Sequence, residues 1–232
     1  MENKRSILYT DNLPKEISFD VKQGETLALE LVSLQSEIAS EITVNVEKDG
    51  VFDGVFADFS NCSSSFSLTV NLLEEGAKCI WHLASLSSKQ SKKEYRTDVV
   101  HKAAHTEALI SNYGIARGES NLLFKGASSI LKGSVSSNTK QEAKIIVFDP
   151  LAKGLASPVL KIDENDVIAS HAAVVGRLNE DHLFYLASRG IDLPLAKRLI
   201  AFGYLRPVVD RFQDEDLRMK LGEAVEGGFE NA

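Results

Sequence analysis

Residues 166–191 read DVIASHAAVVGRLNEDHLFYLASRGI. The first half alternates like a β-strand. The second half places Leu183, Leu186 and Ala187 on one face of a helix, to be buried as its stripe. Asn179 stands where an N-cap is needed, and Glu180 and Asp181 suit the positive end of a helix dipole. Gly190 supplies a left-handed stop. His171 lies close to this changeover, so its role depends on what the strand belongs to and what covers it.

Upstream, period-2 alternation repeats for two thirds of the chain. Ile17, Phe19 and Val21 alternate with Ser18 and Asp20, and Leu27, Leu29 and Leu31 follow. Ile42, Val44 and Val46 come next, then Phe66, Leu68, Val70 and Leu72. Further strands are expected at 80–86, 95–100, 107–113, 121–125, 129–135, 144–148 and 159–162. No helix-period stretch interrupts them, which leaves no room for helical crossovers and makes the region all-β. Alternation alone ranks a sandwich first, ahead of a closed barrel or a solenoid of short parallel strands. Residues 107–135 favour the solenoid, because short strands and glycines (Gly114, Gly118, Gly126, Gly133) follow one another like stacked rungs.

Downstream, a second helix is expected after Asp192, with Leu195, Leu199 and Ile200 inward and an end by Gly203. Pro207 suits the first turn of a third. Asp214 can cap a fourth that carries Leu217, Leu221, Ala224 and Val225 on one face. The tail EGGFENA (226–232) is expected to fray. The division is a β core over 1–168 and a signature strand with a small helical appendage over 169–232. The appendage is too short for a core of its own, and its helices are expected to cover the last strand.

A net charge of −7 argues against nucleic acid as the main partner. No run reaches the ~18–20 apolar residues of a membrane span, and the first residues lack a signal-peptide core, so a cytoplasmic protein without a membrane partner is expected. The basic stretch 87–96 reads as a solvated loop. Cys62 and Cys79, without a second thiol or close histidine, read as buried reduced thiols. Nucleophile-elbow, phosphate-loop, H-E-x-x-H and C-x-x-C motifs are missing.

ASHAAVVGRLNEDHLFYLASRGI (169–191) resembles the signature of the SufB/SufD family of iron–sulfur cluster assembly proteins. SufD-like members typically read Cys-Ser-His-Gly-Ala-Thr, then a polar stretch, then a helix with Leu-Phe-Tyr-Leu that ends Arg-Gly-Ile. Ser170, His171, Ala173, Gly176, Leu178, Leu183, Phe184, Tyr185, Leu186, Arg189, Gly190 and Ile191 fit that pattern. HKAAHTEA (101–108) resembles the family's His-x-Ala-Pro-His-Thr rung, and FKGASSILKGS (124–134) its Lys-Gly-Val-Leu turn and the next rung. The likeness spans 81–221. Departures are Ala169 for Cys, Ala172 for Gly, Val174 for Thr, Ala104 for Pro, and KIIVFDPLAKG (144–154) for Asn-Leu-Leu-Leu. The chain is also shorter than usual for the family, so the family's N-terminal helical region is expected to be missing and a reduced, divergent SufD-like member is expected.

The resemblance implies a right-handed parallel β-helix followed by C-terminal helices, and so decides against the sandwich. It implies a non-enzymatic scaffold subunit that works with a SufB-like paralogue and a SufC-like ABC-type ATPase, with a homodimer as the assembly in isolation. No stably bound cofactor is expected, only a transient iron or iron–sulfur cluster shared with the partner chain. A carbohydrate-active β-helix enzyme or a plain interaction module is the alternative.

By the same resemblance, His171 is the cluster-assembly candidate, as ligand or proton carrier at the interface between paralogues. Its competitor is a packed rung-end histidine, and the loss of the neighbouring Cys at Ala169 tips the reading towards packing. His101 and His105 are weaker candidates. On a strand they would share a face ~13 Å apart, so they read as structural, as do His82 and His182. Asp163, Glu164 and Asp166 read as a solvated acidic loop. In the family the C-terminal helices bind the ATPase, which makes Arg198, Tyr204, Arg206 and Arg211 the exposed contact candidates.

Overall fold

A computed structural model of the chain describes residues 3–229. Its strands are β1 (Asn3–Thr10), β2 (Glu16–Val21), β3 (Glu25–Ser33), β4 (Ile38–Val46), β5 (Val51–Asp58), β6 (Ser64–Leu72) and β7 (Lys78–Ser87). They continue with β8 (Lys92–His101), β9 (Glu107–Ala116), β10 (Asn121–Ile130), β11 (Ser137–Val147), β12 (Lys153–Ile162) and β13 (Val167–Arg177). Helices α1 (Glu180–Ser188), α2 (Leu193–Val209) and α3 (Glu215–Gly227) follow. The odd-numbered strands form one sheet and the even-numbered strands a second, each in chain order. Every strand pairing is parallel. Each strand thus serves as the crossover between its two neighbours in the facing sheet. The chain coils through about six turns as a parallel β-solenoid.

Equivalent residues of successive turns stack in columns. One inward column runs Leu29, Gly54, Trp81, Ile110, Gln141, His171; the next runs Leu31, Phe56, Leu83, Asn112, Ala143, Ala173. Phe66, Leu68, Val70 and Trp81 all point inward, as alternation requires. Gly54 is the accommodation to Trp81, since a Cβ there would stand 2.6 Å from the indole ring. A left-handed corner precedes β3, β5, β7, β9 and β11, at Gly24, Asp49, Gly76, His105 and Ser136.

A second core lies outside the solenoid. Ala201, Leu205 and Val208 of α2 and Leu217, Leu221 and Val225 of α3 pack on the outer face of the odd sheet, against Val55, Ala57, Ala84, Leu86 and Ile115. Strand β5 is therefore apolar on both sides. Its sequence VFDGVFAD has no clean alternation, so pattern reading passed over it. Polar latches fix the helices: Arg211 pairs with Asp53 at 2.7 Å, and the Gln213 amide donates to Glu30 Oε1 at 2.9 Å. The Arg117 guanidinium donates to the Gly228 carbonyl and lies 4.2 Å from the Phe229 ring centroid.

Several expectations give way here. The helices lie along the side of the solenoid and leave its last turn uncovered. Helix α1 buries none of its residues, so Leu183, Leu186 and Ala187 form no buried stripe. Helix α2 runs through both Gly203 and Pro207, and Leu195 and Leu199 are exposed on it. The proline removes the donor for the Gly203 carbonyl, but both residues are exposed and water can serve that oxygen. Asp214 caps the third helix, not a fourth. Phe229 is buried against Phe148, so the tail is docked as far as it is described; residues 230–232 lie outside the described residues. Residues 129–135 end β10 and then turn, and Gly114 and Gly126 sit within strands. Residue 168 falls inside β13.

Candidate functional site

The last turn is formed by β12 and β13, the edge strands of their sheets. With no further turn above them, residues in inward columns are open. His171 is one of these, next in its column after the buried Gln141, and it is exposed. This overturns the leaning towards a packed histidine, because nothing is stacked above to pack it. Val175, of the same inward parity as His171, is exposed at the open end; Ile168 (68% exposed) and Val174 lie on the outer face of β13, and Leu155 and Val159 on the outer face of β12. Helix α1 leaves this end directly, capped by Asn179 Oδ1 on the Asp181 amide at 2.8 Å, with Phe184 76% exposed. Exposed apolar side chains on two unpaired edges mark this end as an association surface. Its chemistry is one imidazole: among the described residues no group of three or more His, Cys, Asp or Glu side chains converges.

The other histidines fall elsewhere. His101 is fully buried at the end of β8, with Nδ1 2.8 Å from Thr106 Oγ1, and burial pushes it down to about 4. His105 occupies a left-handed corner, its ring outside and 4.0 Å from Glu75. The turn between them separates the two rings, one inside and one out. His82 is half-buried on the outer face; burial first, then Arg211, lowers it to about 4, against the pull of Asp53. His182 is exposed on α1. Glu164 and Asp166 staple the corner before the last turn. Glu164 accepts from the Gly133 amide at 2.9 Å, and Asp166 from Ser136 Oγ at 3.1 Å.

Pattern reading missed the most connected ionic group. Residues 87–96 are the end of β7, a turn and the start of β8, not a solvated loop, and Lys93 is 1% exposed. Its ammonium donates to Asp58 Oδ1 at 2.7 Å and to the carbonyls of Ser60 at 2.9 Å and Leu86 at 3.1 Å. Asp58 Oδ2 accepts from Tyr95 Oη at 2.6 Å and Ser64 Oγ at 2.5 Å. Burial draws Lys93 below its ordinary value while Asp58 opposes the shift, and burial with Asp58 raises Tyr95 well above the phenol range. Parity was the available clue: Lys93 shares the odd positions of Tyr95, Thr97 and Val99. Of the cysteines, Cys79 is buried and its thiol pushed up by burial, whereas Cys62 is half-exposed, its Sγ 3.3 Å from the Gln35 carbonyl.

A solenoid ending in an open strand with Ser170 and His171, followed by a capped helix carrying Leu-Phe-Tyr-Leu, is what the signature resemblance implies. Residues 26–204 match the family described as SUF system FeS cluster assembly, SufBD core domain. The chain belongs to the SufBD core family. The match begins well before residue 81, where likeness was first legible, and takes in the early strands. The chain is 28% identical to the iron–sulfur cluster assembly protein SufD of Bacillus subtilis (strain 168) over 97% of its own length and 55% of that relative's. It is 25% identical to the Escherichia coli (strain K12) protein of the same description over 57% of the chain and 32% of the relative. A SufBD family protein of Staphylococcus epidermidis is likewise 25% identical, over 59% and 29%. The chain thus spans about half the length of the first of these relatives and less of the others.

On this SufD-like chain the four helix candidates do not form one exposed surface. Tyr204 turns to the sheet and packs edge-on against Tyr113, ring centroids 5.6 Å apart, and its hydroxyl is pushed up by burial. Arg211 is engaged with Asp53, and Arg198 is half-buried. Arg206, like Arg211, is exposed, and it pairs with Asp210 at 3.1 Å. Beside it, Phe202, Arg218, exposed Met219 and Gly222 line a groove of about 570 Å³ between α2 and α3. Removing everything after Gly190 would also strip the second core from the odd sheet, so that truncation would not leave the rungs intact.

Proposed function

We propose that the chain is a component of Suf-type iron–sulfur cluster assembly and acts there as a non-enzymatic scaffold subunit. Its open solenoid end pairs with a SufB-like paralogue, or with a second copy in isolation, and its α2–α3 groove receives a SufC-like ABC-type ATPase in the cytoplasm. The observation that carries this reading is the uncovered last turn, where an exposed imidazole stands among apolar residues on unpaired strand edges. Iron, or a nascent cluster, is the cargo. A lone imidazole is a competent ligand but no complete coordination set, and Ala169 supplies no thiol beside it. His171 therefore contributes one donor or carries one proton, and the partner chain supplies the remainder. Among the described residues no helix is long and apolar enough to cross a membrane. The carbohydrate-active reading rested on architecture alone, which does not carry function.

His171→Ala tests the assignment. The ring packs against no covering turn, so the variant is expected to keep its melting temperature within about 2 °C and to assemble normally. Cluster delivery by the reconstituted complex should fall by roughly the tenfold or more expected for loss of a ligand or proton carrier. A stable variant that delivers clusters at the full rate removes His171 from the mechanism.

A further inference from the structure

The inward columns are apolar through most of their length, yet two amides interrupt them near the end of the solenoid. Asn112 follows Leu31, Phe56 and Leu83 in one column; Gln141 follows Trp81 and Ile110 in the next. Both side chains are buried, at 5% and 4% exposed. Among the described residues neither Asn112 Oδ1 nor Gln141 Oε1 has a hydrogen-bond partner. Both oxygens are acceptors, so they cannot satisfy one another. The two residues line the same small cavity, of about 10 Å³, whose walls are otherwise Ile110, Phe124, Ala143 and Pro158 with the backbone of neighbouring strands. Lys125 and Glu142 also border it, but their charged ends are engaged at the surface with Glu94 and Lys144.

We propose that the solenoid interior holds one ordered water molecule, which donates one hydrogen to Asn112 Oδ1 and the other to Gln141 Oε1. The volume suits a single water. Two acceptor oxygens offer an anion no donor, and the apolar walls offer no further ligands for a metal ion. Gln141 is the column neighbour of His171, so the water fixes the amide on which the last turn is built. The site stands on this geometry whether or not His171 acts in cluster assembly.

A crystal structure of the chain at 1.5 Å or better tests it. A density peak about 2.7–3.2 Å from both oxygens is expected. Empty density, or one amide turned so that the two side chains bond each other, overturns the proposal. The variants Asn112→Leu and Gln141→Leu and their double supply a second readout. With a bridging water, each single change strands the other acceptor and shifts the unfolding equilibrium by on the order of tenfold, and the double variant recovers part of that loss. Without it, the single changes relieve an unpaired acceptor, so neutral or stabilising effects that add in the double variant contradict the site. If a variant does not fold, the density of the unaltered chain still decides.

Discussion

Replacing Lys93 with methionine, or Asp58 with asparagine, should lower stability by about 3–5 kcal/mol, the largest single-residue effect expected in this chain. The reason is asymmetric. As a pair, the ammonium and carboxylate satisfy one another and are saturated by the Ser60 and Leu86 carbonyls and by Tyr95 and Ser64. With one partner gone, the other is a charge in a fully buried position with no water to take over. Asp58 ends β5 and Lys93 is the second residue of β8, so the pair also ties two coils of the solenoid together. Urea unfolding followed by the fluorescence of Trp81, the only tryptophan, reads the loss directly. The double variant Asp58→Leu/Lys93→Met should cost less than the sum of the single changes, because neither charge is then stranded. A loss below about 1 kcal/mol for both single variants would show that the pair is solvated and the corner open.

Acid should unfold the chain partly through His101. Burial holds its folded value at about 4, below the ~6.5 of an exposed imidazole. Between these values the unfolded chain binds a proton that the folded chain does not. The contribution is therefore fully present above about pH 6.5 and is lost as pH falls through about 4, with an upper size of roughly 3 kcal/mol. His82 acts in the same direction, but its partial exposure and Asp53 make its share smaller. Since carboxylates add their own acid sensitivity, the useful quantity is a difference. The fall in stability between pH 7 and pH 4.5 should be smaller by about 2 kcal/mol in His101→Gln than in the unaltered chain. Equal slopes would mean that His101 is protonated while folded.

Local signals were read from sequence more securely than tertiary ones. Asn179, Asp192 and Asp214 were placed at helix starts, and each side chain accepts from an amide of its own first turn, a bond made within four residues. Inward strand residues such as Phe66 and Val70 followed from parity. The solenoid did not follow from alternation, which marks one buried face but not which strand lies beside it; the signature resemblance supplied that step. Helix α2 passes Gly203 and Pro207 because Leu205, Val208 and Val209 continue into the second core, and packing outweighs local breakers. The same packing hid β5 by making both of its faces apolar. His171 illustrates the limit at the site. Its column and neighbours are strand properties, but its exposure depends on the absence of any turn stacked above it.

The most direct measurement of the assembly role is affinity purification of the tagged chain from its native host under mild conditions. The chain should bring with it an ABC-type ATPase and a larger SufB-like paralogue. A Met219→Glu change in the α2–α3 groove should release the ATPase while leaving the paralogue bound at the open end of the solenoid. Recovery of the unaltered chain alone, or with neither partner enriched over an untagged control, would contradict the scaffold role.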